Sequence, residues 1–150
     1  MPSIKITGAD ELVMVLNRLS EESEGAIKKA VFDGAAVIAD AVRSSINGLR
    51  VDGPSAWETR RRTEQKAGLQ AGLTTYQIED KGGKIEGGVG FSGTNSRGQS
   101  NRMIARVFNS GTSFSSKQPF FDRAVRSSRG AAQAAVKATL EEEIQKIVKG

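Results

Sequence analysis

The stretch that decides the fold runs from Glu21 to Ile46 and reads EESEGAIKKAVFDGAAVIADAVRSSI. Its apolar residues recur at spacings of three and four, which is the period of one face of an α-helix. The negative charge at its start is favoured by the helix dipole. We therefore predict one amphipathic helix, roughly 35–40 Å long, that ends at Asn47-Gly48. Its apolar stripe consists of Ile27, Val31, Ala35, Ile38, Val42 and Ile46.

The segment before this helix predicts a strand and a second helix. Ser3 to Thr7 alternates apolar and polar residues, which is typical of a short strand. Asp10 suits the N-cap of a helix that continues to about Leu19, because leucine and valine follow at helical spacing.

The segment after the long helix predicts two loops and a hairpin. Residues 49–72 show no clean period, which indicates a flexible loop with at most one helical turn. Thr74–Ile78 and Ile85–Phe91 alternate around a glycine-containing turn, which indicates a β-hairpin. Residues 92–102 are nearly all polar and predict a second flexible loop.

The C-terminal part predicts two more helices. A short helix around Val107 would be capped by Ser100 and would end at Gly111. A final helix would cover roughly Ala131 to Val148, with Gly130 kinking it or separating it from residues 119–127. Together the elements predict a single α+β domain over residues 1–150. In it, a small antiparallel sheet made of the N-terminal strand and the hairpin is flanked by the long amphipathic helix and the C-terminal helix.

Composition excludes several classes of function. The chain has no cysteine and no histidine, which excludes zinc ribbons, Cys–His pairs, Ser–His–Asp triads and disulfide frameworks. No apolar run approaches the length needed to cross a bilayer, so we expect no membrane contact. We also expect no cofactor and no enzymatic activity. The net charge of +5 favours nucleic acid or an acidic partner surface without deciding between them.

Three other sequence patterns indicate structural roles and not catalytic or ligand-binding sites. The acidic runs Glu21-Glu22 and Glu141-Glu142-Glu143 are typical of solvated helix faces. Gly87-Gly88-Val89-Gly90 lacks the context of a nucleotide loop and indicates close packing in the hairpin. Ser110-Gly111-Thr112-Ser113 has no nearby base and indicates a turn.

One cluster of basic residues is a candidate interface with protein or DNA. A base-stacking platform is not supported, because a single tryptophan accompanies the cations. That tryptophan suits a packing or interface anchor better than a ligand contact. A charged interface loop or solvated segment is the simpler interpretation, and a phosphate-binding site is the alternative. The candidates are Arg50, Trp57, Arg60, Arg61, Arg62 and Lys66.

Two segments, Ala105–Ser113 and Lys117–Ala124, carry a family resemblance. They resemble the neck and tail-completion proteins of tailed bacteriophages, the head–tail joining proteins similar to minor tail protein Z. In that pattern a short helix ends in an aromatic residue before Gly-Thr, and Pro-Phe-(Phe/Leu)-x-x-Ala then opens the last helix. Asn109-Ser110 departs from it, because the family usually has an acidic residue and Phe there. The matching residues are Phe108, Gly111, Thr112, Pro119, Phe120, Phe121 and Ala124.

The resemblance implies a structural virion protein that forms a ring at the head-proximal end of the tail and enables head–tail joining. Such rings are commonly sixfold, which implies a homo-hexamer whose partners are tail-terminator and head-closure or connector proteins. Non-specific contact with passing DNA would also be expected. The protein would belong to the virion and would occupy the host cytoplasm during assembly. The alternative is a DNA-binding module that uses the basic residues of the 50–66 loop.

Overall fold

A computed structural model of the chain describes residues 3–8, 11–17, 24–79, 84–112 and 116–149. The elements form an α+β fold, as predicted, and both the N-terminal strand and the hairpin are present. In chain order they are β1 (Ser3–Gly8), β2 (Glu11–Asn17), α1 (Glu24–Asn47), α2 (Ala56–Gly72), β3 (Leu73–Glu79), β4 (Lys84–Phe91), α3 (Asn101–Ser110) and α4 (Phe120–Lys149).

The sheet has the strand order β1-β2-β4-β3, and each neighbouring pair is antiparallel. The predicted helix from Asp10 to Leu19 is therefore wrong, because β2 occupies that segment and lies inside the sheet. Met14 is opposite Ile4 of β1 on one side and opposite Gly87 of β4 on the other. The run Leu12-Val13-Met14-Val15-Leu16 is continuously apolar and contains β-branched residues, which suits an interior strand. In so short a run, helical spacing alone does not separate a strand from a helix.

The long amphipathic helix is confirmed as α1, and its six predicted stripe residues are all at most 3% exposed. It begins at Glu24, and the predicted helical positions Glu21 and Glu22 lie outside the described residues. It ends at Asn47, with Gly48 in a turn, as predicted. Burial of an unbroken apolar stripe explains why this element is the centre of the core.

α4 packs along α1 and is one continuous helix of 30 residues. The predicted separation at Gly130 is wrong, and the alternative of a kink there stays a prediction. The helix passes through this exposed glycine, and a Cβ built there would meet nothing within 4 Å. The sequence predicts one apolar side of this helix from Ala132, Val136, Leu140, Ile144 and Val148. Ala132 and Val136 are fully buried and Leu140 is partly buried, but Ile144 is 43% exposed, so the prediction is wrong at Ile144. The side chain of Val148 lies outside the described residues.

Polar contacts join α1 to α4 at both ends, and near the start of α4 the Ser45 hydroxyl donates to the Phe120 carbonyl at 2.8 Å. The Thr139 hydroxyl donates to a carboxylate oxygen of Asp33 at 2.6 Å, and Lys29 pairs with Glu143 at 2.8 Å. The hydrogen bond with Glu143 raises the pKa of Lys29, and the same bond, together with one from Lys146, lowers the pKa of Glu143. The Lys29–Glu143 pair is solvent-exposed, so it contributes little to stability.

The prediction of a loop over residues 49–72 is wrong, because α2 fills most of that segment. Ser55 caps the helix by accepting from the backbone N–H of Glu58 at 3.2 Å. The buried residues of α2 are Gln65, Gly68, Leu69 and Gly72, of which only one is a large apolar residue. An amphipathic pattern is therefore absent although the helix packs against the rest of the fold.

Residues 92–100 form a loop, as predicted, and hydrogen bonds hold it. Asn95 is buried, and its side-chain oxygen accepts from the backbone N–H groups of Arg97 and Gln99. Asn101, where α3 begins, donates through its side chain to the Ser92 carbonyl at 2.9 Å. The mobility of this loop stays a prediction. The turn at residues 81–83 lies outside the described residues.

Gly87→Ala tests the packing of α1 against the sheet. A Cβ at Gly87 would lie 2.1 Å from Val31 Cγ1, which belongs to a fully buried side chain that cannot move aside. We expect the variant to lose about 1–3 kcal/mol of unfolding free energy in chemical denaturation, because of overpacking. Gly130→Ala is the matched control. Its free energy of unfolding should rise by up to about 1 kcal/mol, because alanine is a better helix former than the exposed glycine that it replaces. Equal stability of Gly87→Ala and wild type would contradict the close approach.

Candidate functional site

The aromatic residues of the family motif lie in the hydrophobic core. Phe121 is fully buried, Phe120 is 3% exposed and Phe108 is 8% exposed. Phe120 and Phe121 form edge-on or tilted contacts with each other and with Phe91 of β4, at centroid distances of 6.2–6.4 Å. These geometries are favourable for aromatic pairs. Ala124 is also buried, so this part of the motif holds α4 against the sheet.

The link between α3 and α4 is closed by backbone contacts. Gly111 ends α3 with φ +76 and ψ 175, a conformation that essentially requires glycine. The predicted glycine terminus of α3 is thereby confirmed. The Gln118 N–H donates to the Phe108 carbonyl at 2.7 Å, which returns the chain to the end of α3. Pro119 immediately precedes α4, and its carbonyl accepts from the Arg123 N–H at 3.0 Å.

Asn109 completes this junction, and its role was not predicted from the sequence. Its side-chain oxygen accepts from the backbone N–H groups of Phe121 and Asp122, at 3.1 and 3.2 Å. Its side-chain nitrogen donates to the Asp122 carboxylate at 3.1 Å. Asn109 is 3% exposed and thus caps the start of α4 from a distant position in the chain. It occupies the position where this chain departs from the family pattern.

A cleft lies beside the junction, and we call it the basic cleft. Its volume is about 590 Å³, which is within the usual range for ligand sites. Three guanidinium groups and one carboxylate line it, so positive charge prevails, and part of its lining is apolar. The lining residues are Arg50, Asp52, Arg61, Arg62, Gln65, Val107, Phe108, Thr112, Ser116 and Gln118.

Arg50 is brought to the cleft by its backbone. Its N–H donates to Gln118 Oε1 at 2.8 Å, and its carbonyl accepts from Gln118 Nε2 at 3.1 Å. This pair of bonds ties the segment after α1 to the segment before α4. The Arg50 guanidinium itself makes no hydrogen bond or ion pair with any residue that the structure describes.

Arg61 and Arg62 enter the cleft from α2. Arg61 pairs with Glu58 at 2.6 Å, and its guanidinium lies 5.3 Å from the centroid of the Trp57 ring, a cation–π distance. The Arg61 Nε atom is buried and has no hydrogen-bond partner within the described part of the chain. Arg62 donates to the Asp52 carbonyl at 2.7 Å, which fixes the segment that precedes α2.

The other candidate cations lie elsewhere. Lys66 donates to the carbonyls of Asn47 and Leu49 at 2.9 and 3.2 Å, so it satisfies the C-terminal end of α1. Arg60 is exposed and does not line the cleft. Trp57 is 55% exposed and stands next to the cleft through its contact with Arg61.

Of the six basic-cluster candidates, the structure thus gathers three arginines in one cleft with the tryptophan beside it. The motif residues Phe108 and Thr112 line the same cleft.

The chemistry available in the cleft is recognition of an anion. Guanidinium groups offer planar, forked donors that match carboxylate and phosphate oxygens. Among the described residues there is no group of three or more acidic side chains able to hold a metal ion. None of the helices in those ranges is both long and apolar enough to pass through a bilayer. No family model, no curated protein and no solved structure matches this chain.

Proposed function

We propose that this chain is a structural virion protein of a tailed bacteriophage. It forms a ring at the head-proximal end of the tail and enables head–tail joining. The observation that carries the proposal is the position of the residues that resemble the neck and tail-completion family. Phe120, Phe121 and Ala124 are core residues, while Phe108 and Thr112 also line the basic cleft. The motif therefore builds a scaffold next to a binding surface, which suits an assembly subunit.

Exposed apolar side chains on different elements support self-association. A ring of identical subunits needs two different surfaces that meet head to tail. Phe32 of α1 and Ile144 of α4 are 57% and 43% exposed, and each directly adjoins a residue that bridges the two helices. Trp57 of α2 and Met103 of α3 are 55% and 49% exposed on the other helices. These four side chains, one on each helix, are the apolar surface available for contacts between subunits.

In this proposal the partners are further copies of the chain, in a hexamer, together with tail-terminator and head-closure or connector proteins. The protein acts in the host cytoplasm during assembly and remains in the virion. In this proposal the docking elements are the 92–102 segment and the 49–72 segment, of which residues 56–72 form α2.

Deletion of the gene from its phage or prophage genome tests the proposal. We expect electron micrographs of induced lysates to show filled heads and separate tails, because the joining ring is missing. A copy of the wild-type gene supplied in trans should restore joined particles. Infectious particles with normally joined tails in the deletion strain would refute the proposal.

The alternative function, DNA binding by residues 50–66, is favoured by the three arginines of the cleft but not by their arrangement. Arg61 and Arg62 are consecutive on α2, so their side chains leave the helix about 100° apart, and Arg60 of the same basic run does not line the cleft. The Asp52 carboxylate in the cleft would repel closely spaced phosphates.

A further inference from the structure

We propose that the basic cleft binds an acidic peptide segment of a neighbouring protein subunit, with a carboxylate held by the guanidinium groups of Arg50 and Arg61. The proposed virion role is the reason to expect a protein partner, so the inference deepens that proposal. It names the chemistry by which one subunit would recognise the next.

The first reason is that hydrogen-bond donors of arginines at the cleft have no acceptor in the described part of the chain. The Arg50 guanidinium has no partner among the described residues, although its backbone is clamped by Gln118 on both sides. The Arg61 Nε is buried without a hydrogen bond in the same part of the chain. The exposed Arg50 guanidinium lines the cleft and can therefore form charge-assisted hydrogen bonds with an anion bound there.

The second reason concerns which anion fits. Phosphate sites commonly combine cations with free backbone N–H groups at a helix start or in a nest. At this cleft the backbone N–H groups of Arg50, Gln118 and Gly111 are already bonded within the protein. The guanidinium groups of Arg50 and Arg61 line the same cleft. Forked guanidinium donors match the two oxygens of a carboxylate.

The third reason is the mixed character of the lining. Val107 and Phe108 provide apolar surface, and Asp52 provides a negative charge. A peptide can satisfy all of these groups at once, because it carries carboxylates, apolar side chains and backbone N–H donors. A nucleic-acid backbone offers a closely spaced row of phosphates, which suits neither Asp52 nor the apolar part.

The chain contains a reporter for this site, because Trp57 is its single tryptophan and contacts Arg61. The test is a tryptophan-fluorescence titration of the full chain with acetyl-Gly-Asp-Leu-Glu-Gly-amide, at an ionic strength of about 0.05 M, where charge pairs are weakly screened. The neutral peptide with Asn and Gln in place of the acids, inorganic phosphate and a short DNA duplex are titrated in parallel.

We expect saturable binding of the acidic peptide with a Kd of about 1 mM or tighter, and no saturation with the neutral peptide. Arg50→Gln should raise the Kd of the acidic peptide about tenfold or more, because a charge-assisted hydrogen bond is lost. Arg60→Gln is the matched control, because it removes the same charge from a side chain that does not line the cleft. It should change the affinity by less than about twofold.

Three outcomes would overturn the inference. The first is that the acidic peptide does not saturate the protein. The second is that Arg50→Gln and Arg60→Gln lose affinity for it equally. The third is that duplex DNA or phosphate binds more tightly than the peptide. The last would support an anion site for nucleic acid or free phosphate. Because these titrations use purified protein and the gene deletion uses particles, the cleft inference and the virion proposal can fail separately.

Discussion

Phe121→Ala is expected to lower the free energy of unfolding by about 3–5 kcal/mol, the usual cost of removing a buried phenyl group. Phe121 is fully buried, and its ring contacts Phe91 and Phe120 at centroid distances of 6.3 and 6.4 Å. These neighbours belong to β4 and to the first turn of α4, so the cavity would lie where the sheet meets the helix. Urea denaturation followed by circular dichroism measures the loss.

Phe32→Ala is the control, because it makes the same substitution at a side chain that is 57% exposed. Its stability should stay within about 0.5 kcal/mol of wild type. In our proposal Phe32 lies on a ring surface, so this variant should instead reduce self-association in sedimentation experiments. If the stability of Phe121→Ala also stayed within that range of wild type, the burial of the motif would be contradicted.

Asn109→Ala is expected to lower the free energy of unfolding by about 2–3 kcal/mol, which is more than an exposed helix cap usually contributes. The substitution removes the acceptor for the N–H groups of Phe121 and Asp122 and the donor to the Asp122 carboxylate. The Phe121 N–H bond is buried, so water cannot readily replace the lost acceptor. The same denaturation experiment measures this loss.

Ser110→Ala is the neighbouring control, since Ser110 is exposed at the end of α3. We expect its stability to stay within about 0.5 kcal/mol of wild type. If Asn109→Ala also stayed within that range, the capping of α4 by Asn109 would be refuted.

The elements that could be predicted from the sequence are those whose signals are local. The stripe from Ile27 to Ile46 in α1 and the alternating large apolar residues Ile85, Val89 and Phe91 in β4 are such signals, and all of these residues are buried. β2 was mistaken for a helix because a short apolar run satisfies both periods. Its strand form is stabilised by pairing with β1 and β4, which are distant contacts.

α2 was missed for a different reason. It packs through Gly68 and Gly72, where a Cβ would lie 2.5 Å from the side chain of Asn101. Because α2 contacts its neighbours through glycine and not through large apolar side chains, its sequence has no apolar stripe. The signal available was Ser55-Ala56-Trp57-Glu58, which has the spacing of a capping box.

The candidate site was only partly predictable. The sequence shows Arg61 and Arg62 as part of a basic run. Their proximity to Arg50 depends on the hydrogen bonds between Arg50 and Gln118, which are 68 positions apart. Lys66 was grouped with them because it is near in sequence, yet it bonds to the end of α1. Asn109 gave no signal, because its acceptors and donors lie beyond the turn at Gly111.

The pairing of α1 with α4 has a consequence for how the chain matures during synthesis. Thr139 and Glu143, which join α4 to Asp33 and Lys29, are the last of these residues to be translated and lie more than a hundred positions from their partners. An incomplete chain would therefore carry a helix with its apolar side uncovered, open to aggregation or to capture by chaperones. The α1–α4 packing would form only after α4 has been synthesised, and truncation within α4 would destabilise the fold more than its distance from the cleft suggests.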